Sequence, residues 1–190
     1  MFLDELFPAR GKFARGHRQT RPPQGRHTRA DFRLPRLDGR GELGLSDLRG
    51  RRVLLVFSSP QCGPCSALAP ELEKFYRANC TASSPCPSPP VEEREKPARP
   101  GAPVEVVMIS KGEPKENRAK VKEHGLTFPI VLQQQWEISR RYAMFATPIA
   151  YLIDEQGVIV HDVAVGSDAI QDLMRDYSAS QVELLVLNTQ

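Results

Sequence analysis

Apolar residues in this chain come in short, dense blocks separated by polar stretches rich in glycine and proline. Arg52–Ser58, RVLLVFS, is a continuous apolar run bounded by turn residues, and its length and valine content predict a strand buried on both faces. Val104–Ser110, VEVVMIS, predicts a second strand of that kind. Between them, Cys62–Asn79 sets Leu68, Leu72, Phe75 and Tyr76 at helical spacing, with Pro70 inside the helix, where it removes a hydrogen bond and bends the axis. Pro114–His124 predicts a basic, polar helix closed by Gly125, and Phe128–Leu132 a short strand whose Pro129 suits a sheet edge. Trp136–Met144 predicts a helix with Ile138 and Tyr142 on one side. Ile149–Ile153, the turn Asp154–Gly157 and Val158–Val163 predict a β-hairpin. Asp168–Tyr177 then predicts an amphipathic helix with Ile170, Leu173 and Met174 inward, and Gln181–Leu187 is an apolar coda whose pattern separates neither helix nor strand. Ahead of all these, Asp31–Leu37 and Glu42–Leu45 read as two extended pieces around the turn Asp38-Gly39, followed by one helical turn at Ser46–Leu48.

This order gives an α/β fold: parallel units, then a hairpin and a helix, forming a mixed central sheet with helices on both faces. The 190 residues suit one domain with decoration, divided as a tail over 1–30, a domain over 31–178 and a C-terminal extension over 179–190. Within the domain, Cys80–Pro103 has seven prolines and few large apolar residues, so an insertion loop is expected over 80–103. No aliphatic and aromatic run is longer than the five residues of Val53–Phe57, far short of the ~20 residues of a membrane span.

Charge refines the picture at one end. The formal net charge is +3, yet residues 1–30 alone carry +5, so the remainder sums to −2 and the basic character belongs to the tail. Phe7–Ala30 is Pro, Gly, His and Arg with few aliphatics, too little apolar surface to offset the entropy of ordering. It reads as a solvated leader, with weak contact to an anionic membrane as its functional alternative. Beyond Phe13 no aromatic residue interleaves with its arginines, which argues against nucleic-acid binding. The start, MFLDELFPAR, lacks the basic and long apolar regions of a secretory signal, and the expectation from that is a cytoplasmic chain.

Cysteine carries the chemistry, by placement. Cys62-Gly63-Pro64-Cys65 sits where a buried strand gives way to a helix. A helix N-terminus offers unpaired N–H groups and partial positive charge, which favour thiolate over thiol at Cys62, while Cys65 lies one turn inside and is shielded. Pro64 falls in the first turn, where its missing N–H costs nothing, and Gly63 leaves the first sulfur accessible. Cys62 is therefore the expected nucleophile towards a substrate disulfide and Cys65 the group that resolves the mixed disulfide. Two other readings exist. Cys80 and Cys86 supply two further sulfurs for a zinc site, but zinc ribbons place both pairs on turns, so no metal and no cofactor are expected. A purely structural disulfide here would close a tiny loop and remove little chain entropy. Haem attachment requires His after the second cysteine, where Ser66 stands.

A strand ending before C-G-P-C, a helix with proline five residues past the second cysteine, and Thr147-Pro148 before a hairpin resemble the thioredoxin superfamily. The leading segment, DFRLPRLDGRGELGLSDLRGRRVLLVFSSPQCGPC, is similar to the TlpA, ResA and MauD-like redoxins within it. The resemblance covers roughly Asp31 to Tyr177 apart from Cys80–Pro103. It implies a thioredoxin fold with an extra N-terminal strand pair and thiol–disulfide exchange with protein disulfide or dithiol substrates, served by an upstream electron donor or acceptor. By the same resemblance Pro148 matches the cis-proline facing the cysteines, and the backbone of Thr147 binds an incoming peptide strand. Proteins of the TlpA kind commonly work outside the cytoplasm on a membrane tether, against the cytoplasmic expectation above.

The departures are informative. The buried acid of thioredoxin would fall on Val56, and the acid ResA-like proteins keep one turn past the second cysteine falls on Leu68, so the proton acceptor for Cys65 is unassigned. Glu71 and Glu73 read as solvated surface charges, His124 and His161 as surface histidines, and Trp136 and Tyr142 as core. Cys80 and Cys86 are candidates for a local disulfide, a second redox pair relaying electrons, or idle thiols. A thiol peroxidase of the same superfamily is the alternative activity, but it resembles Pro-x-x-x-Thr-x-x-Cys, whereas Pro60 is two residues from Cys62 with no threonine between.

Overall fold

A computed structural model describes residues 31–79, 104–142 and 144–187 of the chain. The insertion 80–103, with Cys80 and Cys86, and the basic tail lie outside the described residues.

Two strands, β1 (Arg33–Pro35) and β2 (Glu42–Gly44), pair antiparallel with Leu34 opposite Leu43 and lead into a 3-10 turn at Leu45–Leu48. The main sheet holds β3 (Arg52–Ser58), β4 (Val104–Ser110), β5 (Ile130–Leu132), β6 (Ile149–Ile153) and β7 (Ala164–Val165), in the order β5-β4-β3-β6-β7. β3, β4 and β5 run parallel; β6 is antiparallel to β3, and β7 to β6. Four helices, α1 (Gly63–Asn79), α2 (Pro114–His124), α3 (Glu137–Arg141) and α4 (Ser167–Leu187), complete the fold.

The apolar runs explain the centre. Residues 53–57 of β3 are all buried, and the alternation of the strand divides them between two cores. Leu54 and Val56 join Val106 and Met108 of β4 under Leu68, Leu72 and Tyr76 of α1 and Ile170, Leu173 and Met174 of α4. Val53, Leu55 and Phe57 face the opposite way, towards Leu34, Leu43 and Leu48 of the N-terminal unit and Ile138 and Tyr142 at α3. Phe57, Tyr142 and Tyr151 form an aromatic trio with centroids 5.1–6.1 Å apart, tilted at Tyr142 and edge-to-face between Phe57 and Tyr151. The sheet is thus a wall between two dry layers, as expected for helices on both faces.

Three elements differ from expectation. The hairpin partner is not Val158–Val163: Ile159 makes one isolated bridge to Ile153, and pairing resumes only at β7, where Ala164 and Val165 face Ala150 and Ile149. The turn before it is as expected, with Asp154 Oδ1 accepting the N–H groups of Gln156 and Val158. α3 is a short helix of five residues, because Trp136 at its N-cap takes a left-handed φ of 61°. The untyped coda is helical: nothing after Tyr177 breaks the helix, and α4 continues to Leu187.

Candidate active site

β3 ends at Ser58, and the chain turns through Ser59-Pro60-Gln61 into α1. Cys62 is the N-cap residue of α1. Its N–H donates to the Ser59 carbonyl at 3.2 Å, and its own carbonyl accepts the first helical hydrogen bond from Ser66 N–H at 3.1 Å. Its sulfur does what a capping serine oxygen does elsewhere, accepting the N–H of Cys65 at 3.2 Å. A donor and a helix dipole aimed at one sulfur favour its anionic form. Cys62 and Cys65 are joined as a disulfide, with Cα atoms 5.2 Å apart. Cys62 is partly exposed, whereas Cys65 is 2% exposed. Gly63 and Pro64 are exposed, and a Cβ on Gly63 would meet nothing within 4 Å.

Sheet register brings the second strand of the site alongside. Phe57 pairs with Ile149, so the Thr147-Pro148 segment stands at the same end of the sheet as the cysteine turn. The Thr147-Pro148 peptide bond is cis, and the Thr147 carbonyl oxygen lies 3.4 Å from Cys62 Sγ. Gly166 N–H donates to the Pro148 carbonyl at 2.9 Å, and Ser167 Oγ to the Pro64 carbonyl at 3.2 Å, so the start of α4 ties the two halves of the site together. Phe145, 71% exposed, precedes this segment. Cys62, Gly63, Pro64, Cys65, Thr147 and Pro148 therefore form one cluster.

Other placements correct the sequence reading. Glu73 is no surface charge: it is 6% exposed and its carboxylate accepts Thr127 N–H at 2.7 Å, Thr127 O–H at 2.6 Å and Arg77 Nε at 2.5 Å. Burial pushes its carboxyl pKa up, and those hydrogen bonds outweigh it, leaving it below the ordinary glutamate range. Glu71 is exposed as expected. Trp136 is half-buried rather than core, with Lys111 Nζ 4.1 Å above its ring. Tyr142 is core and His161 exposed, but His124 is half-buried, with a buried Nε2 that makes no hydrogen bond. Val56 and Leu68 are both fully buried in the core between the sheet, α1 and α4.

Sequence reasoning missed Ser167, Ser59 and Lys120. Ser59 acts through its backbone carbonyl and Ser167 through a hydroxyl that reaches a residue 103 positions away, and neither leaves a mark in a pattern. Lys120 had a signal: α2 connects two parallel strands and must bury a face, yet positions 117 and 120 are polar.

Comparison with known proteins decides the family. The chain is 33% identical over 133 residues to the thiol-disulfide oxidoreductase ResA of Geobacillus thermodenitrificans, covering 70% of this chain and 64% of that protein, just under two thirds of its length. It is 32% identical over 149 residues to the thiol-disulfide oxidoreductase ResA of Geobacillus kaustophilus, covering 78% of this chain and 73% of that protein. The chain belongs to the thiol-disulfide oxidoreductases of the thioredoxin superfamily. The crystal structure of the thioredoxin domain of a Bacteroides vulgatus thiol-disulfide oxidoreductase superposes with a TM-score of 0.57 at 18% identity, covering 77% of this chain and 92% of that one. The thioredoxin fold expected from the sequence, with its extra N-terminal strand pair, is thereby established. A family model described as AhpC/TSA family matches residues 94–162. That span contains none of the chain's four cysteines, so the peroxidase alternative gains no reactive sulfur from it. Among the described residues, no helix is long and apolar enough to cross a membrane.

Proposed function

We propose that this chain exchanges disulfides with protein substrates through Cys62 and Cys65. The observation that carries the reading is the position of Cys62 Sγ: at the N-cap of α1, 3.2 Å from Cys65 N–H, 3.4 Å from the Thr147 carbonyl, and open to solvent on the side of Gly63. In the reduced protein the Cys62 thiolate attacks a substrate disulfide. That S–S bond breaks, the departing sulfur leaves as thiolate and takes a proton from water, and a mixed disulfide forms on Cys62. Cys65 then loses its proton and attacks Cys62 Sγ, releasing the second substrate sulfur. The substrate gains two electrons and the cysteine pair loses two, which an external dithiol donor restores; run backwards, the same steps oxidise a substrate dithiol.

Thr147 and Pro148 form the docking edge for a substrate strand, since the Thr147 backbone flanks the sulfur under attack. Gly63 and Pro64 keep the approach open and the first turn of the helix intact. The test is insulin-type disulfide reduction with a dithiol reductant. Cys62→Ser abolishes turnover, and Cys65→Ser accumulates a mixed disulfide on Cys62 that mass spectrometry detects. Turnover that survives Cys62→Ser, or rapid alkylation at Cys65 in place of Cys62, overturns the reading.

A further inference from the structure

α2 buries a polar face. Asn117 is 3% exposed and Lys120 6%, with Val121 partly buried beside them. The Asn117 amide donates to the Lys111 and Glu113 carbonyls at 3.1 Å each and locks the helix start to the loop leaving β4. Lys120 reaches the other way. Its Nζ donates to the carbonyl oxygen of Ser59 at 3.2 Å, from α2 across to the end of β3. The same oxygen accepts the backbone N–H of Cys62 at 3.2 Å. One carbonyl thus joins a buried ammonium to the backbone of the nucleophile, and the exchange steps above give that ammonium no task.

Among the described residues no carboxylate stands in hydrogen-bond contact with Lys120; an ammonium so withdrawn from water is costly, and an apolar side chain would fill this position more cheaply. Burial lowers the pKa of Lys120, while Glu123 on the same helix acts in the opposite direction. Among the described residues, the charged groups around it are few. Glu116 of α2 is exposed and accepts Gln61 Nε2 at 3.3 Å, Lys111 is engaged over Trp136, and Asp168 at the start of α4 is exposed. α1 has no acidic residue in its first turn. Solvent screens the exposed carboxylates far more than it screens a buried ammonium.

Resting on the thiol–disulfide reading, we propose that Lys120 is a positioning residue for the cysteine pair: it clamps the Ser59 carbonyl, which fixes the Cys62 amide at the N-cap of α1, and its charge favours the Cys62 thiolate. Lys120 transfers no proton and no electron; it biases the state in which Cys62 waits. Two hydrogen bonds and one cysteine side chain separate Nζ from Sγ, a path on the order of 10 Å, over which a unit charge inside protein shifts an ionisation by about tenfold. A stabilised thiolate stabilises the reduced pair, so Lys120 makes the protein a stronger oxidant than the same site without it.

The experiment compares the full chain with its Lys120→Met, Lys120→Gln and Lys120→Arg variants. The readouts are equilibration of the cysteine pair against a glutathione buffer and titration of the Cys62 thiolate by ultraviolet absorbance. Lys120→Met is expected to move the equilibrium about tenfold towards the disulfide, equivalent to about 30 mV more negative, and to move thiolate formation to higher pH. Lys120→Arg keeps the charge and is expected to stay within about twofold of wild type, for the same Coulombic reason. Lys120→Gln keeps a donor for Ser59 but no charge, and decides the electrostatic part if the methionine variant does not fold. Neutral variants with the wild-type potential and thiolate titration overturn the inference, as does an arginine variant that shifts as far as the neutral ones. A wild-type chain that fails to reduce insulin overturns the exchange reading instead, so the two failures are distinguishable.

Discussion

Glu73→Ala removes the carboxylate that ties the middle of α1 to the loop between α2 and β5. The side chain receives three hydrogen bonds, two from Thr127 and one from Arg77. Hydrogen bonds to a charged group are worth about 1.5–3 kcal/mol each, but the three are not equal here. Arg77 is 65% exposed and four residues away on the same helix, so its share is that of a surface pair, about 0.3–0.5 kcal/mol. Thr127 is itself exposed and regains water when the carboxylate is lost, which keeps its two bonds at the low end of the range. The expected loss is about 3–3.5 kcal/mol, or roughly 6–14 °C in Tm for a chain of this length. Glu73→Gln keeps one acceptor oxygen and loses about half as much by the same reasoning. Urea unfolding of the oxidised protein, followed by circular dichroism, measures both. The folded carboxyl lies below the ordinary glutamate range, so its contribution is present above the unfolded pKa and is lost as pH falls through the folded one. The gap between wild type and Glu73→Gln therefore narrows in acid. A Glu73→Ala variant within about 0.5 kcal/mol of wild type, where ordinary surface changes fall, or a gap that persists in acid, refutes the argument.

Leu68→Ala, at a fully buried position on α1, is expected to cost about 3 kcal/mol in the same unfolding assay. Gly44→Ala places a methyl group 2.8 Å from the backbone oxygen of Phe32, which must move; a loss of about 1–3 kcal/mol, with disturbed amide shifts across β1 and β2, is expected in nuclear magnetic resonance and unfolding experiments. Burial pushes the Tyr151 phenol up to about 12, and burial together with Tyr151 pushes Tyr142 higher still. Both stabilise the fold below the ordinary tyrosine pKa, a contribution lost as pH rises further. Phenolate absorbance is therefore expected to lag behind that of the denatured chain until alkaline unfolding releases these tyrosines together.

What the sequence revealed and what it hid follow from where each partner lies. β3 and β4 were legible because strands buried on both faces need no alternation, and α1 because four apolar residues repeat at helical spacing. Cys62 and Cys65 were legible because their relation is local. Glu73 was not, since its partner Thr127 is 54 residues away, and Lys120 was not, since Ser59 is 61 residues away. Each charged residue looks solvent-facing until the segment that satisfies it is known. Val158–Val163 misled for a different reason. Its β-branched residues Val158, Ile159 and Val160 follow a turn as a hairpin's second strand would, but Val160 is 53% exposed and β6 is already paired at its other end by β7. Trp136 enters α3 with a left-handed backbone, a conformation for which a tryptophan gives no warning.

β3 has a strand on either edge and side chains sealed on either face. The cysteine turn is mounted directly on its end, so the chemistry is bolted to the part of the molecule that yields last. Amide protons of Val53–Phe57 are expected to exchange with deuterium more slowly than those of the β7 edge, in the dithiol and disulfide forms alike. A client thus meets a sulfur held in register while the rim around it is free to adapt.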